Sequence, residues 1–163
     1  MEDLATARKA VEPWGLPLLR KDFTLEPYHL YEARTWGADA VLLIVAALPS
    51  RDLRGLLEEA KALRLQCLVE LHTEQELQKA LEAGAEVVGI NNRDLHTFTT
   101  DLSVTERLSP LVPRGKVIVS ESGLFSRADV LRMRRAGAHA VLVGEALVTA
   151  PNPGAKLREL LGR

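Results

Sequence analysis

The chain has 163 residues, of which 47% are hydrophobic and 26% charged, so it is long and apolar enough to fold around a core. Its 21 Lys and Arg residues nearly balance 22 Asp and Glu residues, which gives no electrostatic reason to expect nucleic acid or an anionic membrane as a partner. One cysteine, no secretory signal pattern and no membrane-length apolar run predict a cytoplasmic protein with a small-molecule ligand.

Helical and strand patterns alternate along the chain. Residues Glu2 to Val11 predict a first helix. Six apolar runs then predict strands that end near residues 21, 45, 70, 90, 120 and 144, each followed by a helical pattern. The first of these runs is Leu16 to Leu19, and the third is Gln66 to Leu71.

A short repeat marks three of the junctions between a helix and the next strand. Gly-Ala, one polar residue and an apolar run begin at Gly37, Gly84 and Gly137. Glycine favours the left-handed conformation that ends many helices, and an uninterrupted apolar run is typical of a strand that is covered on both faces. The repeat therefore predicts parallel strands joined by helices.

The spacing of the strands narrows the fold. Successive strand ends are about 25 residues apart, as in repeated βα units, which leaves a barrel and an open sheet as alternatives. A complete (β/α)8 TIM barrel takes about 250 residues. We therefore expect residues 1–163 to form a single, incomplete TIM-barrel domain with six parallel βα units, without the first quarter of the barrel. Open strand edges in such a structure would favour self-association.

Two charged residues stand where predicted strands end, which is where parallel α/β folds carry their reactive groups. Lys21 follows the first strand, and its ammonium is suited to protonate a substrate oxygen beside the ring of Phe23. The alternative for Lys21 is an ion pair with Asp22. Glu70 interrupts a buried run, where a carboxylate is costly unless it is paired or takes part in chemistry.

The later strand ends carry groups suited to a polar, phosphorylated ligand. Asn91 and Arg93 could bind such a ligand, although both residue types also stabilise loops. Gly123 and Gly144 expose backbone N–H groups near the last strands, where barrels often bind phosphate.

The remaining reactive residues suggest structural roles. His72 precedes a predicted helix, and Cys67 lies inside an apolar run, so we expect a loop residue and a core residue, respectively. No spacing resembles a zinc site, a Walker loop or a dinucleotide fingerprint. We therefore expect neither a metal nor a cofactor.

Taken together, the motifs resemble those of the indole-3-glycerol phosphate synthase family. They are LPLLRKDF at 16–23, GADAVLLI at 37–44, LVELH at 68–72, GINNRDL at 89–95, VSESG at 119–123 and VLVGEAL at 141–147. The resemblance implies a (β/α)8 barrel that converts 1-(2-carboxyphenylamino)-1-deoxyribulose 5-phosphate into indole-3-glycerol phosphate without a cofactor.

The resemblance also implies roles for individual residues. Lys21 would be the general acid in ring closure, and Glu70 the general base in dehydration. Phe23 and Leu42 would form an apolar wall beside the aromatic ring. The polar substrate contacts would be Asn91, Arg93, Glu121 and Ser122, and the phosphate contacts would be Gly123, Gly144 and the backbone of Glu145.

One family motif has no counterpart in the sequence. The family carries a Glu-x-Lys-x-x-Ser-Pro-Ser pattern on its first strand. No segment of the 163-residue sequence matches this pattern. Two alternatives therefore stay open: another phosphosugar-binding barrel enzyme, such as phosphoribosylanthranilate isomerase, and a non-catalytic phosphate-binding barrel fragment.

Overall fold

The computed structural model describes residues 2–94 and 97–163. The strands in this part are β1 (Leu19–Arg20), β2 (Ala40–Ile44), β3 (Gln66–Leu71), β4 (Val87–Asn91), β5 (Val117–Glu121) and β6 (Ala140–Leu142). The helices are α1 (Glu2–Val11), α2 (Pro27–Thr35), α3 (Ser50–Ala62), α4 (Glu74–Ala83), α5 (Ser103–Leu108), α6 (Arg127–Arg135), α7 (Glu145–Val148) and α8 (Pro153–Leu161). The predicted order of one helix followed by six strand–helix units is confirmed.

The chain forms two compact units. The first comprises the chain up to Glu70 together with Gln78–Glu86, and the second comprises Leu71–Leu77 and Val87–Arg163. The three glycines of the sequence repeat, Gly37, Gly84 and Gly137, have φ angles of 90°, 98° and 99°, so their predicted left-handed conformation is confirmed.

In the first unit, β1 pairs in parallel with β2, and β2 pairs in parallel with β3. The register places Leu42 opposite Leu68 and Ile44 opposite Glu70. The core of this unit contains fully buried aliphatic side chains from both helices and strands, including Leu30, Leu43, Leu53 and Val69. Burial of both faces explains the uninterrupted apolar run of β2.

The predicted position of the first strand, Leu16 to Leu19, is wrong, because pairing begins at Leu19. The Leu18 N–H donates to the Asp39 carboxylate at 2.7 Å, while the Leu18 carbonyl accepts from the N–H groups of Asp39 and Ala40. Pro17 has no N–H to donate. For the N–H of Leu18, a side-chain carboxylate therefore takes the place of a strand partner ahead of β1.

In the second unit, β4 pairs in parallel with β5, and β5 pairs in parallel with β6. The register places Asn91 opposite Glu121. Val88, Ile90, Leu108 and Met133 are fully buried and form much of the core of this unit. Parallel strands that alternate with helices in both units confirm the (β/α)8 fold class, here with six βα units.

None of the helices in residues 2–94 and 97–163 is both long and apolar enough to cross a membrane.

Candidate active site

The first unit brings together the two charged residues that the sequence singles out. Lys21 directly follows β1 and Glu70 lies near the end of β3, and their Nζ and Oε2 atoms are 2.9 Å apart. The side chain of Glu70 is only 4% exposed, whereas that of Lys21 is 37% exposed. The ion pair thus joins a buried carboxylate to a cation that solvent and ligand can reach.

The neighbours of Lys21 explain why this lysine pairs with Glu70. The Arg20 guanidinium lies 2.8 Å from the carboxylate of Glu32 in α2. Asp22 lies 3.6 Å from Arg20, and its carboxylate accepts the N–H of Phe23 at 2.8 Å. The structure thus pairs Lys21 with Glu70, whereas the carboxylate of Asp22 lies near Arg20.

The two residues predicted to form an apolar wall lie in different surroundings. Phe23 lies in the loop between β1 and α2 and is 57% exposed, so a ligand can reach its ring. Leu42 lies within β2 and is 3% exposed. Their contact with an aromatic substrate stays a prediction.

In the second unit, Asn91 ends β4 and organises the backbone around it. Its Oδ1 accepts the Arg93 N–H at 3.0 Å, and its carbonyl oxygen lies 2.7 Å from Nδ1 of His72. The backbone N–H of His72 also donates to the Glu76 carboxylate at 2.6 Å. These bonds give His72 the structural role that its position before a helix indicates.

Arg93 forms an ion pair that the sequence does not reveal. Its Nη2 lies 2.5 Å from the Glu145 carboxylate, and its Nε donates to Thr100 Oγ1 at 3.3 Å. Both charged side chains are partly exposed. An anionic group of a ligand that binds Arg93 would therefore compete with the Glu145 carboxylate. The sequence points only to the Glu145 backbone, because these partners are 52 residues apart.

The end of β5 has an unusual backbone. Glu121 is 1% exposed, and the next two residues, Ser122 and Gly123, have φ angles of 66° and 75°. Two successive residues with left-handed φ angles make a tight turn at the end of the strand. We refer to Ser122 and Gly123 as the β5 turn. Gly144 is exposed and immediately precedes α7.

Three polar residues that the sequence does not single out form a buried network in the second unit. Asn92, Thr105 and Ser120 are each 0% exposed and hydrogen-bonded to one another. Most buried polar side chains are satisfied by hydrogen bonds, as these three are. The signal available in the sequence is the second asparagine of Asn91-Asn92, directly after a buried strand.

Cys67 lies near the start of β3 and is only partly buried, so it stands at the edge of the core rather than within it. Burial raises the pKa of its thiol to about 12, from an ordinary value of 9.0. The thiolate is the reactive form, so a shift of this size reduces the reactive fraction about 1,000-fold at neutral pH.

We therefore expect a thiol reagent to label Cys67 at pH 7.5 more slowly in the folded chain than in urea, because the raised pKa keeps the thiol protonated. The measurement is the rate of thionitrobenzoate release, with free cysteine as the rate standard. Equal rates in the folded and unfolded chains would show an accessible thiolate and would contradict this assignment.

Within residues 2–94 and 97–163, no group of three or more His, Cys, Asp or Glu side chains is arranged to hold a metal ion.

Parallel βα units with polar groups at the carboxyl ends of their strands define a protein of the (β/α)8-barrel class. Solved structures of this kind include thiamine phosphate pyrophosphorylase from Pyrococcus furiosus, with a TM-score of 0.78 at 17% identity over 99% of this chain and 73% of that one. KGPDC from Streptococcus mutans matches with a TM-score of 0.73 at 16% identity over 98% of this chain and 75% of that one. At such low identity the likeness concerns the fold alone.

Sequence relatives are more specific. The sequence model of the indole-3-glycerol phosphate synthase family matches residues 1–160, and the chain belongs to this family. Indole-3-glycerol phosphate synthase from Dehalococcoides mccartyi strain CBDB1 is 52% identical over 161 residues, which are 99% of this chain and 62% of the relative. The enzyme of the same name from Roseiflexus sp. strain RS-1 is 55% identical over 157 residues, which are 95% of this chain and 58% of the relative. The chain thus spans about 60% of the length of these relatives. The match favours neither of the two alternatives that the sequence left open.

Proposed function

We propose that the protein acts as an indole-3-glycerol phosphate synthase, a carboxy-lyase of tryptophan biosynthesis. The observation that carries the proposal is the 2.9 Å ion pair between Lys21 and Glu70, at the ends of β1 and β3. Lysine is ordinarily protonated and glutamate ordinarily ionised at neutral pH, so this pair holds a proton donor next to a proton acceptor.

The reaction needs both kinds of group. Ring closure forms a bond between the aromatic carbon that bears the carboxylate and the ketone carbon of the sugar chain. Lys21 donates a proton to the ketone oxygen as this bond forms, and the carboxylate then leaves as carbon dioxide. The resulting hydroxyl leaves as water when an acid protonates it and Glu70 accepts a proton from the neighbouring ring carbon.

The second unit supplies groups for the rest of the substrate. The β5 turn, Gly144 and the backbone N–H of Glu145 would bind the phosphate, because peptide N–H groups bind anions. Asn91, Arg93, Glu121 and Ser122 would contact the other polar groups, while Phe23 and Leu42 would pack against the aromatic ring. The proposed roles all belong to side chains and backbone of the protein, and the proposal includes no cofactor and no metal.

The test is product formation by the purified chain. Indole fluorescence is followed after addition of 1-(2-carboxyphenylamino)-1-deoxyribulose 5-phosphate, with Lys21→Ala as the inactive control. We expect product from the unmodified chain and a loss of about 100-fold or more in the variant, because a general acid is removed. A second version adds the parts of the Dehalococcoides mccartyi relative that lie outside the matched 161 residues.

Each outcome of this test has a clear meaning. Product from either version, lost on replacement of Lys21, supports the proposal. If neither version forms product while circular dichroism shows a folded protein, the proposed activity is wrong. Equal rates with and without Lys21 would exclude the proposed role of the lysine.

Two further parts of the proposal concern location and assembly. We propose a cytoplasmic location, on the basis of the sequence features above. Self-association is proposed through β1 and β6. In the described part, β1 pairs with β2 and β6 pairs with β5, so the other side of each strand offers backbone groups that a further strand could pair with.

A further inference from the structure

Asn92 sits at the centre of the buried network in the second unit, although it is not among the residues assigned to the substrate. Its Oδ1 accepts the N–H of Thr105 at 3.2 Å and the Thr105 hydroxyl at 2.8 Å. Its Nδ2 donates to Ser120 Oγ at 3.0 Å, and the hydroxyls of Thr105 and Ser120 lie 2.8 Å apart. Contacts on both sides of the amide fix which end is oxygen and which is nitrogen.

The second donor of this fixed amide reaches the β5 turn. Asn92 Nδ2 lies 3.1 Å from the carbonyl oxygen of Ser122 and donates a hydrogen bond to it. The backbone of Asn92 adds a further bond to the same strand end, because its N–H donates to the carbonyl of Glu121 at 2.9 Å. Asn92 therefore holds two successive carbonyl groups at the end of β5.

Fixing the Ser122 carbonyl also fixes the neighbouring N–H. The carbonyl of Ser122 and the N–H of Gly123 belong to one planar trans peptide unit, in which the two groups point in opposite directions. When Asn92 holds the oxygen, the Gly123 N–H is turned away from Asn92. The turn itself is unusual for this sequence, since Ser122 has a φ of 66°, which side-chain-bearing residues rarely adopt.

We infer that Asn92 is a positioning residue, which orients the Gly123 N–H of the β5 turn as a donor for the phosphate of the ligand. This inference rests on the proposed function, which assigns the phosphate to this turn. A donor that is held in place before the ligand arrives binds without the cost of ordering it. The network of Asn92, Thr105 and Ser120 thus serves ligand binding as well as packing.

The test compares two ligands that differ only in the phosphate. The affinities of the chain for indole-3-glycerol phosphate and for unphosphorylated indoleglycerol are measured by calorimetry. Asn92→Asp keeps the size of the side chain and its acceptor toward Thr105, but replaces the donor to Ser122 with an oxygen. We expect this variant to lose about tenfold in affinity for the phosphorylated ligand, and less than about twofold for the other.

Ser109→Ala is the matched control. Ser109 is also buried in the second unit, and its hydroxyl donates to a backbone carbonyl, that of Ala136, at 2.6 Å. This variant loses a comparable buried bond away from the β5 turn. The ratio of the two affinities should stay within about twofold of the unmodified chain, because only general stability is affected.

Several outcomes would overturn the inference or the proposed function separately. If Asn92→Asp lowers the affinity for both ligands equally, Asn92 has a structural role alone. If it lowers neither affinity, Asn92 has no role in ligand binding. If the unmodified chain itself does not prefer the phosphorylated ligand, the phosphate site of the proposed function is wrong. Asn92→Ala is the second variant, since it introduces no carboxylate and leaves Thr105 and Ser120 paired with each other.

A spectroscopic measurement on the unmodified chain completes the test. Inorganic phosphate is titrated while the backbone amide resonances are followed. We expect the amide resonance of Gly123 to shift when phosphate is added. We expect the same resonance to shift when indole-3-glycerol phosphate is added. A Gly123 resonance that does not move at saturating phosphate would overturn the inference even if both Asn92 variants failed to fold.

Discussion

Replacement of Glu70 by glutamine is expected to lower turnover about 100- to 10,000-fold, with a change of less than about threefold in KM. Glutamine has nearly the same volume as glutamate, and its side-chain oxygen can still accept the 2.9 Å bond from Lys21. The variant therefore keeps the packing at the end of β3 and loses the ability to accept a proton. A loss confined to kcat is the signature of a group that acts in the chemical step.

The measurement is steady-state product formation by indole fluorescence, in the version of the protein that is active. Glu32→Gln is the matched control, because Glu32 is also a carboxylate paired with a cation, 2.8 Å from Arg20. We expect the Glu32 variant to keep its turnover within about twofold. Activity of Glu70→Gln equal to that of the unmodified protein would remove Glu70 from the mechanism.

The order of elements was accessible from the sequence because each element carries a local signal. An apolar run such as Gln66 to Leu71 is buried along most of its length in β3, and the predicted bounds are those of the structure. Glu70 was recognisable within that run because it is the only charged residue there. Lys21 was recognisable because it directly follows a strand. The contact between Lys21 and Glu70 depends on the parallel register of β1, β2 and β3. That arrangement follows from the sequence motifs once the fold class is known.

Other features depend on contacts that no local pattern records. The start of β1 is set by a carboxylate from Asp39, which lies 21 residues away from Leu18. The ion pair of Arg93 with Glu145 spans 52 residues, and the local sequence around neither residue indicates the other as its partner. Asn92 in turn is distinguishable from an ordinary loop asparagine only when its buried partners are known. At the candidate site, the sequence therefore did not predict which side chains from different elements contact one another.

Replacement of Gly123 by alanine is expected to destabilise the protein by about 2–5 kcal/mol, from two separate costs. A left-handed φ of 75° costs an alanine roughly 1–2 kcal/mol relative to glycine. An added Cβ would also lie 2.4 Å from Thr100 Cγ2 and 3.3 Å from Leu102 Cδ2. Relieving such overlap typically costs about 1–3 kcal/mol. Thr100 is β-branched and stiff at χ1, so it cannot move aside freely.

The same substitution should also weaken phosphate binding. Thr100 accepts a bond from Arg93 at 3.3 Å, so a displaced Thr100 disturbs a predicted ligand contact as well as the β5 turn. Stability is measured by urea denaturation, and phosphate affinity by the shift of the melting temperature at saturating product. A Gly123→Ala protein with unchanged stability would show that the β5 turn tolerates a side chain.

Two other glycines separate the costs that are combined at Gly123. Gly84 has a φ of 98° but open space around an added Cβ, so Gly84→Ala should cost only the backbone term, about 1–2 kcal/mol. Gly55 lies within helix α3, with neither a positive φ nor a close neighbour, so Gly55→Ala should stabilise the protein by about 0.5–1 kcal/mol. Replacement of glycine by alanine is thus expected to raise the stability of the protein at Gly55 and to lower it at Gly123. Equal effects at Gly84 and Gly123 would mean that the crowding against Thr100 is relieved at no cost, and that the turn is held by its backbone conformation alone.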